Sequence, residues 1–239
     1  MAADQILLTV CARGGSRGVK NKNIRHLCQL PLIAHTLKQA QKWGRAAKII
    51  CSTDSKDIAG IAGKYGAEIP FMRPGELASD TAGKLAVLKH ALKTMEEKEK
   101  KEYSILVDLD VTAPIRKVSD IEGAYQLFLK HQADSVVSVT KARRNPYFNM
   151  LERHSDGFVK LVKTPEKPFL RRQDAPAIYD MNASIYVYDR KFILNPRTTT
   201  ALSDKTLVWE MDEWSAFDID SEVDFQLIEY LVTKGIVKL

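Results

Sequence analysis

The chain has 239 residues, of which 45% are hydrophobic and 28% are charged, and its formal net charge is +6. This length suits one sizeable α/β domain or two small ones, and the composition is that of a globular protein without repeats or low-complexity segments. The positive charge favours anionic partners. Because the basic residues are spread out and no aromatic-basic RNA signature accompanies them, we expect no nucleic-acid partner.

The cysteines and the first apolar run indicate the cellular compartment of the protein. Cys11, Cys28 and Cys51 are odd in number and lack CxxC spacing, which indicates reduced thiols in a cytoplasmic protein rather than a disulfide framework. The apolar run at residues 6–10 is too short to span a bilayer, and it has neither the basic flank nor the cleavage pattern of a signal peptide. We therefore expect no membrane partner.

The first third of the chain alternates between strand and helix patterns. We predict strands at residues 6–10 and 48–52 and a return to extended chain at 67–71. Between them we predict a helix with Pro31 in its first turn and Gly44 at its end, and a second helix at 56–65 closed by Gly66. This alternation predicts a mostly parallel sheet covered by helices, with ligands bound beyond the carboxyl ends of the strands.

A basic, glycine-rich segment follows the first strand. Its glycines let backbone N–H groups approach a ligand closely, while Arg13, Arg17, Lys20 and Lys22 add positive charge. This combination favours a polyphosphate cradle. The spacing fits neither a P-loop nor the Rossmann glycine fingerprint, so a basic surface turn is the alternative.

The rest of the chain contains further predicted elements and one loose stretch. We predict helices at 82–98, with Ser79 or Asp80 as a cap, at 119–132, opened by a capping box, and after Ser221. We predict strands at 103–107, 135–139 and 182–188. Between residues 141 and 179, prolines and basic residues accumulate, which indicates a lid, an oligomerisation arm or a long connection.

Two pairs of aspartates mark candidate cation sites. Asp108 and Asp110 share one side of the chain at the end of the strand at 103–107, and Asp218 and Asp220 share one side near the C-terminal helix. Paired carboxylates suit a hard cation such as Mg²⁺, whereas the alternative is a turn or helix cap with incidental acids. A cationic loop together with a magnesium clamp describes phosphoryl or nucleotidyl transfer.

The chain resembles the acylneuraminate cytidylyltransferases, also called CMP-sialic acid synthetases, along nearly its whole length. The motifs that carry the resemblance are residues 12–18 (ARGGSRG), 22–25 (KNIR), 52–54 (STD), 73–81 (RPGELASDT), 112–116 (TAPIR), 182–186 (NASIY) and 217–220 (FDID). The resemblance implies an α/β, Rossmann-like nucleotidyltransferase fold with a mostly parallel sheet flanked by helices. It also implies a single domain over residues 1–239, with an irregular dimerisation or lid insertion at about 141–180, and a homodimer.

The resemblance also implies a reaction and the residues that perform it. CMP would pass from CTP to the anomeric hydroxyl of a nonulosonic acid, with release of pyrophosphate. In the nucleotide site, Arg13, Gly14, Ser16, Lys22 and Asn23 would hold the CTP phosphates and ribose and Arg73 the cytosine. In the sugar site, Arg172 would bind the sugar carboxylate and Asn182 would lie beside the sugar. In the metal site, Asp218 and Asp220 would bind Mg²⁺, and one of them would help to deprotonate the hydroxyl. Arg13 and Lys22 would complete the catalytic set.

Departures from the family pattern indicate which sugar the enzyme would use. Sialic-acid members usually have Gln-Pro-Thr-Ser-Pro-Leu-Arg where this chain has DVTAPIR at 110–116, and a basic residue where Asp180 stands. A carboxylate accepts hydrogen bonds but donates none, so it suits an N–H donor such as the second acetamido group of diacetamido nonulosonic acids. The runs VDLD at 107–110 and RRNPYFN at 143–149 are most similar to the CMP-legionaminic acid synthetase branch. Alternatively, Asp110 is an extra metal ligand.

Other interpretations share part of this evidence. N-acetylneuraminic or pseudaminic acid is an alternative sugar, CMP-Kdo synthetase is an alternative enzyme of the same architecture, and a nucleotide-binding module without catalysis is a non-enzymatic alternative. The cytidylyltransferase hypothesis makes one spatial demand. The basic loop at residues 13–22 and the aspartates at 218 and 220 must face a common triphosphate.

Overall fold

The computed structural model describes residues 5–16, 18–167 and 169–239, without the side chain of Arg172. The strands are β1 (Ile6–Cys11), β2 (His26–Leu27), β3 (Leu30–Pro31), β4 (Lys48–Ser52), β5 (Ile105–Leu109), β6 (Ser135–Lys141), β7 (Leu151–Arg153), β8 (Val159–Leu161), β9 (Tyr179–Asp189) and β10 (Thr206–Glu210). The α-helices are α1 (Leu32–Trp43), α2 (Lys56–Lys64), α3 (Lys84–Glu99), α4 (Val118–His131), α5 (Arg190–Leu194) and α6 (Glu222–Thr233).

One six-stranded sheet organises the chain, with the strand order β10-β6-β9-β5-β1-β4. The pairs β1–β4, β1–β5 and β6–β10 are parallel, whereas β9 runs antiparallel to both of its neighbours, β5 and β6. The predicted mostly parallel sheet is confirmed. The carboxyl ends of β1, β4 and β5 therefore meet at one edge, where doubly wound sheets bind their ligands.

Helices cover both faces of the sheet, and the pleat of β1 shows why. Its alternate residues Ile6, Leu8 and Val10 pack with α1, α2, α4 and α6, whereas Leu7 packs with α3 and α5 on the other face. Because successive side chains of a strand point to opposite faces, a fully apolar run such as residues 6–8 is typical of a strand buried on both sides.

The predicted extended segment at residues 67–71 is not a strand. It makes a single bridge to the edge strand β4, in which Glu68 N–H donates to Ile49 and Glu68 C=O accepts from Cys51, each at 2.9 Å. Pro70 follows two residues later and has no N–H to continue the ladder. The helix α5 and the strands β2, β3, β7, β8 and β10 were not predicted from the sequence.

Two predicted helix caps are wrong, because the capping side chains bond elsewhere. Helix α3 begins after Gly83 without a side-chain cap: Asp80 pairs with Arg13, and Ser79 Oγ donates to the carbonyl of Glu76. Helix α4 begins after Lys117, two residues before the predicted Ser119, and Asp120 Oδ2 accepts from the Lys117 N–H at 2.8 Å. The predicted ends of α1 at Gly44 and the Ser221 cap of α6 are confirmed.

The loose stretch between β6 and β9 forms a separate two-stranded sheet, β7–β8, followed by a short 3-10 helix at Arg172–Asp174. This hairpin exposes large apolar side chains, with Leu151 61% and Phe158 75% accessible, and Leu170 beyond it is 90% accessible. None of the helices that the structure describes is long and apolar enough to cross a membrane.

A substitution at Gly123 in α4 would test how closely this helix packs against β10. A Cβ atom at Gly123 would lie 2.1 Å from the Trp209 ring. We predict that Gly123→Ala lowers the free energy of unfolding by about 1–3 kcal/mol, since overpacking outweighs the helix propensity of alanine. Urea denaturation measures the change.

The matched control is Gly60→Ala in α2, where a Cβ atom would meet nothing within 4 Å. This substitution should raise the free energy of unfolding by about 0.5–1 kcal/mol, because alanine loses less conformational entropy in a helix. A Gly123→Ala protein as stable as the parent would contradict the close approach of Trp209.

Candidate active site

The basic loop after β1 is held at the carboxyl edge of the sheet by its own backbone. The Ala12 N–H donates to the carbonyl of Ser52 at the end of β4, at 3.0 Å, and the Gly14 N–H donates to Asp54 Oδ1 at 2.9 Å. Asn23 is buried, and its Nδ2 donates to the Arg13 carbonyl at 3.0 Å, which closes the loop on itself. Asn23, one of the residues predicted to hold the CTP phosphates and ribose, therefore holds the loop in shape.

The structure brings this loop together with the late aspartates. Lys22 Nζ lies 3.1 Å from Asp220 Oδ1 and also donates to the carbonyl of Ile219. Gly18 lies so close to this segment that a Cβ atom there would stand 1.8 Å from the Asp220 carbonyl oxygen. Just beyond, Arg25 and Glu222 form a two-bonded ion pair with distances of 2.6 and 2.8 Å. The basic loop and the aspartate segment therefore lie in contact, as the cytidylyltransferase hypothesis requires.

Asp218 and Asp220 lie in the loop before α6, which a 3-10 helix (Glu213–Ala216) rather than a strand precedes. Ile219 between them is fully buried, and its N–H donates to the carbonyl of Thr112 at 2.8 Å, so both carboxylates are turned away from the core. Burial, and then the neighbouring charge of Asp220, raises the pKa of Asp218 above its usual value. A partly buried carboxylate next to a second one attracts a cation.

This donor set fits Mg²⁺. Within the described residues, no group of three or more His, Cys, Asp or Glu side chains forms a candidate metal site. Magnesium does not require one, because it is commonly held by one or two carboxylates together with substrate phosphates and water. Asp218 and Asp220 supply such a pair beside the basic loop.

Arg13 and Arg73 line the same cavity beyond the strand ends, but they differ in exposure and in hydrogen-bond partners. Arg13 Nη1 pairs with Asp80 Oδ1 at 2.7 Å, with about a third of its side chain exposed. Arg73 is buried, and its guanidinium donates to the carbonyl and to the Oγ of Ser52. The cavity has a volume of about 290 Å³ and is lined by Cys11, Arg13, Arg73, Leu77, Ser79, Asp80, Ala82, Lys84, Val87 and Asp110. We call it the nucleotide cavity, after the role that the sequence resemblance predicts for Arg13 and Arg73.

A charge cluster lies at the edge of the nucleotide cavity, which Lys84 and Asp110 line. Lys84 Nζ lies 2.8 Å from Asp108 Oδ2 and 2.6 Å from Asp110 Oδ2. Asp108 is fully buried, whereas 33% of the Lys84 side chain and 21% of the Asp110 side chain are exposed. Burial alone would raise the pKa of Asp110, but the Lys84 ammonium and hydrogen bonds from Thr112 outweigh it and lower that pKa to about 2. We call Lys84, Asp108 and Asp110 the charge triad, in which an ammonium stands between the two carboxylates.

A second cavity, of about 520 Å³, lies on the other side of Lys84. It is lined by Gly83, Lys84, Leu85, Ala86, Lys89, Tyr186, Tyr188, Pro196, Thr198, Thr199, Thr200 and Ala201. The rings of Tyr186 and Tyr188 are stacked with centroids 5.9 Å apart, and Lys84 Nζ lies 5.0 Å from the Tyr186 centroid. Both tyrosines lie on one face of β9, since they are two residues apart in the strand. We call this the tyrosine cavity.

Comparison with known proteins identifies the family. The cytidylyltransferase family profile matches residues 7–233. The chain belongs to the cytidylyltransferase family. It is 46% identical over 228 residues to post-translational flagellin modification protein B of Campylobacter coli, covering 95% of each chain. It is 45% identical over 229 residues to CMP-N,N'-diacetyllegionaminic acid synthase of Campylobacter jejuni, covering 96% of this chain and 95% of that protein.

The fold of this cytidylyltransferase has solved counterparts. A structure of CMP:2-keto-3-deoxy-manno-octonic acid synthetase complexed with CTP superimposes with a TM-score of 0.70 over 97% of this chain and 100% of that chain. The two share 14% sequence identity, so the likeness concerns the fold alone. It confirms the Rossmann-like nucleotidyltransferase architecture expected from the sequence.

Among the predicted residues, Asn182 lies apart from the basic loop, and two arginines lie wholly or partly outside the described structure. Asn182 is buried in β9: its Oδ1 accepts from Ser138 Oγ at 2.6 Å, and its Nδ2 donates to the Ser215 carbonyl at 3.0 Å. These bonds hold a bulge in which Ala183 has a φ of 53°. Arg17 and the side chain of Arg172 lie outside the described residues. A sugar contact by Asn182 or Arg172 stays a prediction.

No role is predicted for Lys84 from the sequence. It lies within the helix predicted at 82–98, and no motif or spacing links it to the aspartates 24 and 26 residues later. The only local signal is its place directly after Gly83 at the start of α3, where a long side chain can reach back over the sheet edge. Strand β5 also runs to Leu109, two residues beyond the predicted end, so Asp108 is a strand residue buried within the sheet.

Asp218 and Asp224 allow an electrostatic test of this loop. Hydrogen bonds from Ser221 lower the pKa of Asp224, opposite to the rise at Asp218. In metal-free buffer at neutral pH, we predict that Asp218→Asn raises the free energy of unfolding, because a carboxylate with a raised folded-state pKa costs stability once it is ionised. Urea denaturation across the acid-to-neutral range measures the effect.

The sign follows from proton linkage. The penalty at Asp218 is absent below its unfolded-state pKa and develops fully as the pH rises through its higher folded-state pKa. Asp224→Asn is the matched control and should lower stability, since Asp224 stabilises the fold above its unfolded-state pKa and loses that contribution as the pH falls through its folded-state pKa. An Asp218→Asn protein less stable than the parent at neutral pH would contradict the raised pKa.

Proposed function

We propose that this cytidylyltransferase moves CMP from CTP to the anomeric hydroxyl of a nonulosonic acid, preferably a legionaminic acid, and releases pyrophosphate. The observation that carries the proposal is the contact between Lys22 and Asp220, which puts the cationic loop and the aspartate pair at one place. The relative named CMP-N,N'-diacetyllegionaminic acid synthase, which aligns over nearly the whole length of both chains, supports the choice of sugar.

The loop residues would bind the triphosphate. Arg13 and Lys22 supply positive charge, whereas the N–H groups of Gly14 and Ser16 already donate to Asp54 Oδ1 and to the Gly14 carbonyl and so shape the loop. Arg13 and Lys22 are each held by a carboxylate, Asp80 and Asp220, so both cations are oriented before any ligand arrives. Asn23 supports this geometry from within the loop, and Arg73 lines the cavity where the base would lie. Catalysis of this type rests on positioning and on neutralising charge that builds up on the phosphates.

Asp218 and Asp220 would hold the Mg²⁺ ion. When bound, such an ion would neutralise phosphate charge and align the α-phosphate with the attacking hydroxyl. The protein's own part is to keep the two carboxylates facing the basic loop, through the buried Ile219 and its hydrogen bond to Thr112. One of the carboxylates would accept the proton of the anomeric hydroxyl as the new bond to phosphorus forms and pyrophosphate leaves.

The tyrosine cavity is our candidate for the sugar site. It adjoins the nucleotide cavity through Lys84, and its stacked tyrosine rings offer an apolar wall for an acetamido methyl group. Asp110 lies at the junction and would accept a hydrogen bond from an N–H donor. Since the Lys84 ammonium already occupies the place between Asp108 and Asp110, we assign Asp110 to sugar recognition rather than to metal binding.

We also propose a homodimer formed through the arm at residues 141–180, in the cytoplasm. An isolated two-stranded hairpin is marginally stable in water, and β7–β8 exposes apolar side chains that a partner subunit would cover. The three cysteines are unpaired, which suits a reducing compartment.

An acceptor panel tests the proposed reaction. The purified protein is given CTP and Mg²⁺ with legionaminic, pseudaminic, N-acetylneuraminic or 2-keto-3-deoxy-octonic acid, and pyrophosphate release is followed. We expect the highest kcat/KM with the legionaminic acid, by about tenfold or more, which is the scale of one well-made hydrogen bond to a charged group. Omitting Mg²⁺ should abolish release.

A clear preference for N-acetylneuraminic acid would contradict the sugar assignment and leave the transfer reaction standing. Pyrophosphate release with none of the acids would contradict the proposed function itself.

The proposed dimer has its own test. Phe158→Lys places a charge on the hairpin where we expect the partner subunit, so we predict dissociation to monomers, measured by size-exclusion chromatography with light scattering. Tyr230→Lys on α6, where the aromatic ring is 56% exposed, is the matched control and should leave the mass unchanged. A parent protein that elutes as a monomer would contradict the homodimer.

A further inference from the structure

Lys84 stands where the nucleotide cavity and the tyrosine cavity meet, and it lines both. Resting on the proposed function, we infer that Lys84 is the positioning residue for acceptor choice: its ammonium fixes the Asp110 carboxylate so that one oxygen lone pair accepts an acylamino N–H of the sugar. The inference adds a residue and a mechanism to the specificity assigned above to Asp110.

The hydrogen bonds of Asp110 define what it can still accept. Lys84 Nζ donates to Oδ2 at 2.6 Å, and the N–H and Oγ1 of Thr112 donate to Oδ1, each at 3.0 Å. An ionised carboxylate offers about four acceptor positions. Among the described contacts, one position on Oδ2 is therefore left for a ligand, and the three existing donors prevent the carboxylate from rotating.

The rest of the triad is built into the sheet. Asp108 is fully buried, and its Oδ1 accepts from Thr9 Oγ1 of the neighbouring strand at 2.7 Å. It lies opposite Tyr186 in the register of β5 and β9, so the charge triad and the tyrosine wall are fixed to each other by the ladder. The ammonium of Lys84 consequently has a preset position, which burial and two carboxylates impose.

The charges at Asp110 bear on how the sugar lies. In the triad one ammonium faces two carboxylates, and the buried Arg116, whose guanidinium donates to the Asp110 carbonyl, supplies a second positive charge beside them. The open acceptor position on Asp110 is still a carboxylate oxygen, which repels the carboxylate of a nonulosonic acid and accepts from N–H and O–H groups. The sugar should therefore turn its carboxylate away from Asp110 and its acylamino and hydroxyl groups toward it.

Two contacts then favour an acetamido group over a hydroxyl. Its N–H supplies the donor that the free lone pair of Asp110 requires, and its methyl group packs against the stacked rings of Tyr186 and Tyr188. Aspartate is also one methylene shorter than the glutamine usual in sialic-acid members at position 110, which leaves room for the larger group.

The central test is a charge-compensated double variant. Lys84→Met alone would leave Asp108 buried without its cation and threaten the fold, so it is combined with Asp108→Asn. We expect Lys84→Met/Asp108→Asn to keep the KM for CTP within about twofold of the parent. Its ratio of kcat/KM for a diacetamido nonulosonic acid over N-acetylneuraminic acid should fall by about tenfold or more, mainly through KM for the diacetamido sugar.

Three further variants separate positioning from general damage. Lys84→Arg retains a cation and should preserve the acceptor ratio to within about threefold. Lys93→Met changes an exposed lysine of the same helix and should alter neither the ratio nor the KM for CTP. Asp110→Asn keeps the Lys84–Asp108 pair, so it reports on the junction even if the double variant does not fold, and it should lower the ratio as much as the double variant.

Defined outcomes overturn the inference. An unchanged acceptor ratio in folded Lys84→Met/Asp108→Asn or in Asp110→Asn would do so, as would an equal rise of both the sugar and the CTP KM. A higher Mg²⁺ requirement in Asp110→Asn with an unchanged ratio would place Asp110 at the metal instead. These results are distinct from failure of the proposed function, in which the parent protein releases pyrophosphate with none of the sugars.

Discussion

The contact between Lys22 and the segment at Ile219 and Asp220 is the constraint on which the site depends. Ile219 and Asp220 lie 197 and 198 positions after Lys22 in the chain, yet its ammonium bonds both the backbone and the side chain of this late segment. Gly18 permits this approach because a side chain there would collide with the Asp220 carbonyl. The parallel sheet makes the meeting possible, since β1 and β5 end at the same edge and Ile219 donates to the Thr112 carbonyl just beyond β5.

The charged residues around this contact fall into two groups. Beside the nucleotide cavity, about a third of the Arg13 side chain is exposed, but only 12% of the Lys22 side chain. At the junction with the tyrosine cavity, Lys84 and the buried Arg116 offset the charges of Asp108 and Asp110, and one Asp110 oxygen still has room for an N–H or O–H donor. In the proposed reaction, phosphate oxygens would replace the carboxylate partner of Arg13, and the sugar would donate to Asp110.

The carboxylates of the site differ in what they contribute to the fold. Asp110 and Asp224 are stabilised by donors around them, which is why their pKa values are lowered. Asp218 is held partly buried beside Asp220, and the resulting rise in its pKa shows that the folded protein retains an unfavourable charge there. A bound cation would compensate such a charge, which supports the proposal that the loop before α6 holds a metal ion.

The sequence by itself determined the alternation of strands and helices, the basic loop, the aspartate pair and the family, because these depend on local periodicity and on contiguous motifs. Only the tertiary structure decided where α3 and α4 begin and how the charges pair. Asp80 was expected to cap α3 but binds Arg13, and Asp108 with Asp110 suggested a metal site but hold Lys84. Ion pairs of this kind join residues distant in the chain, and no local pattern specifies them. They arise because the fold brings a cation within reach of each carboxylate, and the fully buried Asp108 needs that partner most.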